Sequence, residues 1–68
     1  MKRDQFIRQL RREAKEAGRG FEVDRRGGKG SHYLVRVGNR ETTLKSGSRS
    51  GELTNAYMRL IRRQLDLP

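Results

Sequence analysis

The sequence contains one histidine, His32, and histidine is the only side chain that ordinarily exchanges a proton near neutral pH. A neutral imidazole can accept a proton as a general base. RNA carries its own nucleophile, the 2′-hydroxyl beside each phosphate, so its cleavage requires only a base, charge stabilisation and an in-line geometry. His32 is therefore the residue where the sequence predicts chemistry, and a bystander on a strand is the alternative.

The segment directly before His32 is rich in glycine and contains Lys29 and Ser31. Backbone N–H groups in such a segment, together with a lysine ammonium, can bind a phosphate. The segment is not a P-loop, because the Gly-Lys-Ser/Thr ending and a following helix are missing. We expect Lys29, Gly30 and Ser31 to contact phosphate, and a flexible hairpin loop is the other interpretation.

The charge balance indicates a polyanionic partner. The 68 residues include 17 Lys and Arg against 8 Asp and Glu, a formal net charge of +9. Nucleic acid is the commonest partner of so basic a domain, and an anionic membrane surface or an acidic protein are the alternatives. The absence of cysteine excludes disulfides and thiolate metal sites, and one histidine is too few for an ordinary zinc site. We therefore expect no metal and no cofactor.

The length predicts a single domain covering residues 1–68, with a thin hydrophobic core. No apolar run approaches the roughly 18 residues of a membrane span, and no signal-peptide core is visible. The sequence therefore predicts a cytoplasmic protein without a membrane partner.

Apolar spacing predicts a helix at each end of the chain. Asp4 is the expected N-cap of the first helix, and Gly18 can end it in the left-handed conformation. The loop 46–51 precedes the last helix, which Ser50 is expected to cap. The predicted apolar positions are Phe6, Ile7, Leu10, Ala14 and Ala17 in the first helix, and Leu53, Ala56, Tyr57, Leu60, Ile61 and Leu65 in the last.

The opposite side of the first helix is basic. Such a charged run is either a solvated face or a surface for phosphate contact. Membrane-surface binding is a weaker alternative, because the apolar side of this helix is needed for the core. The basic residues are Arg8, Arg11, Arg12 and Lys15.

Between the helices, alternating apolar residues predict three antiparallel strands, at 21–24, 32–37 and about 40–45. Gly38-Asn39 is typical of a two-residue type II′ hairpin turn. Because both helices need an apolar surface, we expect them to pack on the same face of the sheet. The predicted fold class is α+β, with the element order α-β-β-β-α.

A turn at 38–39 also fixes the strand register. It places His32 opposite Lys45. In the first hairpin, the register that puts the apolar residues of both strands on one face places Arg26 opposite His32. His32 then lies on the open face of the sheet, where the neighbouring cations can stabilise a phosphate. Leu34 should be exposed beside it, which suggests a protein-contact surface. The other expected pairs are Val37 with Arg40 and Phe21, Arg36 with Glu41 and Glu22, Val35 with Thr42 and Val23, and Tyr33 with Leu44.

One succession of motifs resembles a known family. Gly20-Phe21, a strand, Arg25 and then Gly30-Ser31-His32 at the start of the next strand resemble the HicA toxin family. The closing stretch 57–65, YMRLIRRQL, is similar to that family's last helix, and the likeness extends over most of the chain. The segment after the third strand differs, because the family usually has a proline there and residues 44–54 of this chain contain none.

The resemblance implies a double-stranded-RNA-binding-domain-like fold and a small RNA-cleaving toxin that acts on mRNA. It also implies a HicB-type antitoxin bound over the active site. The family's catalytic histidine corresponds to His32, and Gly30 and Ser31 correspond to the residues before it. Lys29, Arg26 and Lys45 are added from the register and not from the family. A non-enzymatic RNA-binding domain of the same fold and a docking module for an acidic protein are the alternative functions.

Overall fold

A computed structural model of the chain describes residues 1–26, 32–45 and 51–68. It contains two helices and three strands in the predicted order and class: α1 Arg3–Glu16, β1 Phe21–Asp24, β2 Tyr33–Val37, β3 Arg40–Leu44 and α2 Asn55–Gln64. The strands form one antiparallel sheet in the order β1-β2-β3. None of the helices in the described ranges is long and apolar enough to cross a membrane.

The strand register is the predicted one throughout the paired residues. Val35 is flanked by Val23 and Thr42, and the remaining pairs follow from that alignment. Gly38 has a φ of 60°, as the first central position of a type II′ turn requires. This register fixes which side chains face the core, because shifting a strand by one residue would turn every side chain to the other face.

Both helices cover the same face of the sheet, as predicted. Val35 and Val37 are fully buried on this face, where α1 contacts β1 and α2 contacts β3. The buried apolar side chains of the helices, strands and C-terminal turn form one cluster, so a single core holds the fold together. Its members are Phe6, Ile7, Leu10, Ala14, Val35, Val37, Leu44, Leu53, Met58, Ile61, Leu65 and Leu67.

The start of α1 differs from the prediction. Lys2 is the N-cap residue, and the Gln5 side chain accepts a hydrogen bond from the Lys2 backbone N–H at 3.2 Å. The predicted Asp4 cap is therefore wrong, and Asp4 lies in the first turn, where a carboxylate is favourable beside the helix N-terminus. Ala17 follows the helix and is exposed, so it does not belong to the apolar stripe.

The start of α2 also differs. Thr54 is the N-cap, and its Oγ1 accepts a hydrogen bond from the Tyr57 N–H at 3.1 Å. The predicted cap, Ser50, lies outside the described residues, and a helix beginning at Asn55 makes that prediction wrong. Leu53 precedes the helix but is still buried. Its N–H donates to the Met1 carbonyl at 2.8 Å, which joins this segment to the start of α1.

Both helices end in the same backbone motif. After α1, Gly18 has a φ of 70°, as predicted, and the Arg19 N–H donates to the Ala14 carbonyl at 2.9 Å. After α2, Asp66 has a φ of 58°, and the Leu67 N–H donates to the Arg62 carbonyl at 2.8 Å. These are Schellman motifs, which satisfy the last carbonyls of a helix.

Candidate functional site

His32 lies immediately before β2, at the end of the sheet where β1 and β3 both finish. The alternation of the strand places it on the side shared by Leu34 and Arg36, opposite the core. Its side chain is partly buried and retains access to solvent. The adjoining strand therefore positions the backbone of His32, and a substrate can reach its imidazole from solvent.

Lys45 occupies the corresponding position at the end of β3. One step beyond the last ladder pair, Tyr33 with Leu44, the register brings Lys45 beside His32. The Lys45 backbone N–H donates to Tyr57 Oη at 2.9 Å, so α2 holds the backbone of this residue while its side chain is exposed. The Tyr57 hydroxyl thus positions the backbone of Lys45, which is a candidate for phosphate contact.

Arg26 is not held opposite His32 by the sheet. The β1–β2 ladder ends at the Asp24–Leu34 pair, and residues 25–26 form a bend. Asp24 Oδ1 accepts a hydrogen bond from the Arg26 N–H at 2.8 Å, the local side-chain-to-backbone bond that turns a chain out of a strand. Arg26 is therefore exposed near the same end of the sheet but not in the cross-strand position that the register predicted.

The remaining predicted site residues, Lys29, Gly30 and Ser31, lie outside the described residues. The segment that contains them joins Arg26 to His32, and both of these flanking residues are at the end of the sheet described above. Their predicted contact with phosphate stays a prediction.

Sequence reasoning missed two arginines at this end. The Arg3 guanidinium lies 3.7 Å from the centroid of the Tyr33 ring, and that of Arg25 lies 5.6 Å from it. Both distances are those of cation–π contacts. Arg25 stands only seven positions before His32 and could have been proposed from proximity. Arg3 is distant from His32 in sequence, and its contact with Tyr33 depends on the packing of α1 against the sheet.

The N-termini of both helices lie at this end as well. α1 begins at Arg3, which contacts Tyr33, and α2 begins two residues before Tyr57, which contacts Lys45. A helix N-terminus carries a partial positive charge, so it adds to the field of the arginines and the lysine. We call this region, formed by Arg3, Arg25, Arg26, His32 and Lys45, the His32 end.

Two carboxylates near this end, Glu52 and Asp24, are engaged within the protein. Glu52 accepts a hydrogen bond from the Met1 ammonium, which holds the pKa of this carboxyl below its ordinary value. The Lys2 ammonium lies 4.0 Å from the same carboxylate, and Asp24 binds the Arg26 backbone. Asp4, in the first turn of α1, is a further exposed carboxylate, so the His32 end contains carboxylates as well as cations.

The middle of the open face is different, because its charges are balanced. Arg36 binds Glu41 at 3.0 Å and approaches Glu22 at 4.0 Å. The hydrogen bond that Arg36 donates to the Glu41 carboxylate is the main cause of the raised pKa of Arg36. Attraction for an anion is therefore concentrated at the end of the sheet and does not extend across its open face.

Leu34, which was predicted to be exposed on this face, is instead partly buried.

The basic side of α1 is exposed, as its spacing suggested. Arg11 also lies 5.4 Å from the ring centroid of Phe21, so part of this side chain packs on the sheet edge. The exposed cations form a second positive surface along the helix, separate from the His32 end. Its residues are Arg8, Arg11, Arg12 and Lys15.

Comparison of this chain with protein-family models, curated proteins and solved structures gives no match. The likeness to the HicA family therefore rests on the motifs at 20–32 and 57–65 alone. The geometry itself offers a group that can transfer a proton, His32, beside cations that can bind a phosphate.

Proposed function

We propose that this protein is a divergent HicA-type toxin, a metal-independent endoribonuclease that cleaves mRNA in the cytoplasm. The observation that carries the proposal is the position of His32, which is accessible to solvent at a sheet end where arginines, a lysine and two helix N-termini gather. A residue that can accept a proton, within a group of cations that can stabilise a phosphate, supplies two of the requirements for RNA cleavage without a metal.

In the proposed reaction, His32 accepts the proton of a ribose 2′-hydroxyl as general base. The 2′-oxygen attacks the adjacent phosphorus, the bond from phosphorus to the 5′-oxygen breaks, and a 2′,3′-cyclic phosphate forms. Lys45, Arg25 and Arg26 stabilise the charge on the phosphoryl oxygens as it develops. The leaving 5′-oxygen takes a proton from a lysine or from water, because one histidine cannot be base and acid at the same moment.

The same proposal includes a HicB-type antitoxin that covers the His32 end. The likeness of residues 20–32 and 57–65 to the HicA family supports such a partner, because the antitoxin of that family covers the active site. An acidic surface on the antitoxin would bind the cations that otherwise contact RNA, so inhibition and substrate binding would use the same charges.

The test is cleavage of a defined RNA oligonucleotide by wild-type protein, His32→Ala and His32→Gln, in buffer containing a metal chelator. Only the wild type should cleave, and all three proteins should show the same thermal unfolding. An oligonucleotide methylated at every 2′-oxygen should be bound but not cleaved. Cleavage that persists in purified His32→Ala protein would contradict the proposal.

A non-enzymatic RNA-binding domain is the second candidate, and the exposed basic side of α1 favours it. These cations do not depend on His32 and can bind a polyanion without chemistry. This function predicts salt-sensitive binding with intact RNA after incubation, and His32→Ala protein would then bind as tightly as the wild type.

A further inference from the structure

The outward side of α2 is a surface that the proposed function does not use. Leu60 was expected in the core but is 45% exposed, and Ala56 is exposed one turn before it. Arg59 and Arg63, which are also one turn apart, lie beside them. Residues four apart are neighbours on a helix, so the surface consists of an apolar row next to a cationic row.

Two grooves meet along the cationic row. One, with a volume of about 450 Å³, is lined by Ala56, Arg59, Leu60 and Arg63. The other, with a volume of about 700 Å³, is lined again by Arg59 and Arg63. The rest of its lining is Arg62, the C-terminal residues 66–68, which include Asp66, and Glu13 of α1. The two arginines therefore stand between two concave surfaces, each open to a partner.

The charge of this surface is available to a partner. Arg62, in the second groove, is engaged by Glu13 at 3.0 Å and by Gln9 at 3.2 Å. Within the described ranges 1–26, 32–45 and 51–68, neither Arg59 nor Arg63 forms an ion pair. Their two positive charges thus face solvent beside an exposed leucine.

We infer that this side of α2 binds an acidic amphipathic helix of a partner protein. Apolar side chains of that helix, spaced three or four residues apart, would pack on Ala56 and Leu60, while its carboxylates pair with Arg59 and Arg63. The inference goes beyond the proposed function, because none of these residues belongs to the His32 end.

The composition of the surface distinguishes this partner from two others. A second copy of this chain would bring Arg59 and Arg63 against like charges in a protein of net charge +9, which is unfavourable for an isologous contact. RNA would satisfy the arginines but would offer nothing apolar for the row of Ala56 and Leu60, and the row contains no aromatic ring on which a base could stack.

The test uses a fluorescent synthetic helix of about 18 residues, long enough to form helix on binding, with leucines on one side and glutamates flanking them. A scrambled peptide of the same composition is the reference. By fluorescence anisotropy, the full-length protein should bind the amphipathic peptide about tenfold more tightly than the scrambled one. Leu60→Asp and the double variant Arg59→Glu/Arg63→Glu should each remove this preference.

The double variant Arg8→Glu/Arg12→Glu is the matched control, since it makes the same charge change, also one turn apart, on the exposed side of α1. It should keep the preference for the amphipathic peptide. Equal binding of the two peptides, or equal loss in the α1 variant, would overturn the inference. So would a loss of RNA binding in Leu60→Asp, or self-association that Leu60→Asp abolishes. RNA cleavage should be unchanged in Leu60→Asp, whichever way the peptide test ends.

Discussion

The two ends of the sheet use arginine in opposite ways. At the end formed by the Gly38-Asn39 turn, the Arg19 guanidinium donates to the carbonyls of Leu65 at 2.8 Å, Asp66 at 2.9 Å and Val37 at 2.9 Å. It thereby joins the C-terminus of α2 to the hairpin. At the His32 end, Arg25 and Arg3 lie on the Tyr33 ring, and Arg26 and Lys45 extend into solvent.

The difference follows from the direction of the helices. Carbonyl groups at a helix C-terminus accept hydrogen bonds and attract a cation, so the charge of Arg19 is satisfied within the protein. N–H groups at a helix N-terminus repel a cation, so they cannot satisfy the exposed Arg26 and Lys45 side chains in the way that the carbonyls satisfy Arg19. The same residue type is structural at one end and a candidate for binding at the other.

The largest expected effect separates the two ends by activity. His32→Ala should lower the rate of RNA cleavage by about 10² to 10⁴, the usual contribution of a general base. Its thermal unfolding should match that of the wild type, because the imidazole makes no hydrogen bond within the described residues. A variant that is inactive only because it is unfolded would instead lose its far-ultraviolet circular dichroism.

The second effect separates the ends by stability. Arg19→Met keeps an unbranched apolar stem but removes three hydrogen bonds to carbonyls, and we expect a loss of about 2 to 3 kcal/mol in the free energy of unfolding. Urea denaturation measures this loss directly. Arg19→Lys should recover less than half of it, because a single ammonium cannot reach the three carbonyls as a planar guanidinium does. Full recovery by lysine would show that charge and not geometry stabilises this end.

Most of the fold was predictable because short-range rules determine it. The alternation of apolar residues and the turn at Gly38 together determine every pair of the ladder. A register shifted by one residue would turn Val35 and Val37 out of the core. The helix starts were not predictable in the same way. The segment of Leu53 is joined by a hydrogen bond to Met1, 52 residues away in the chain. By residue type alone, Ser50 is a better N-cap than Thr54, which is the residue that caps α2.

The candidate site was predictable only in part. His32 and Lys45 follow from register, because both continue paired strands. Arg26 does not, because the Asp24 side chain turns the chain one residue after the ladder ends. Arg3 reaches Tyr33 through the packing of α1 on the sheet, a contact between distant parts of the chain that no local pattern contains.

A smaller effect tests whether the cations of the His32 end contact RNA. Lys45→Ala should lower the magnitude of the slope of log K against log salt by about 0.7 for a single-stranded RNA, the value for one phosphate contact. Folding should be unaffected, because the Tyr57 hydroxyl binds the Lys45 backbone and not its side chain. The RNA should carry 2′-O-methyl groups, so that binding is measured without cleavage. Arg40→Ala, an exposed cation at the opposite end of the sheet, should leave the slope unchanged.

The smallest effect concerns the Arg19 end alone. Asp66 follows α2 with a φ of 58°, a conformation that costs an L-residue free energy and costs glycine none. Its carboxylate also lies at a helix C-terminus, where negative charge is unfavourable. Asp66→Gly should therefore stabilise the fold, by about 0.5 kcal/mol once the greater freedom of glycine in the unfolded chain is subtracted. Asp66→Asn, which removes only the charge, should give part of that gain, and a loss of stability in both variants would mean that the carboxylate has a favourable partner at this end.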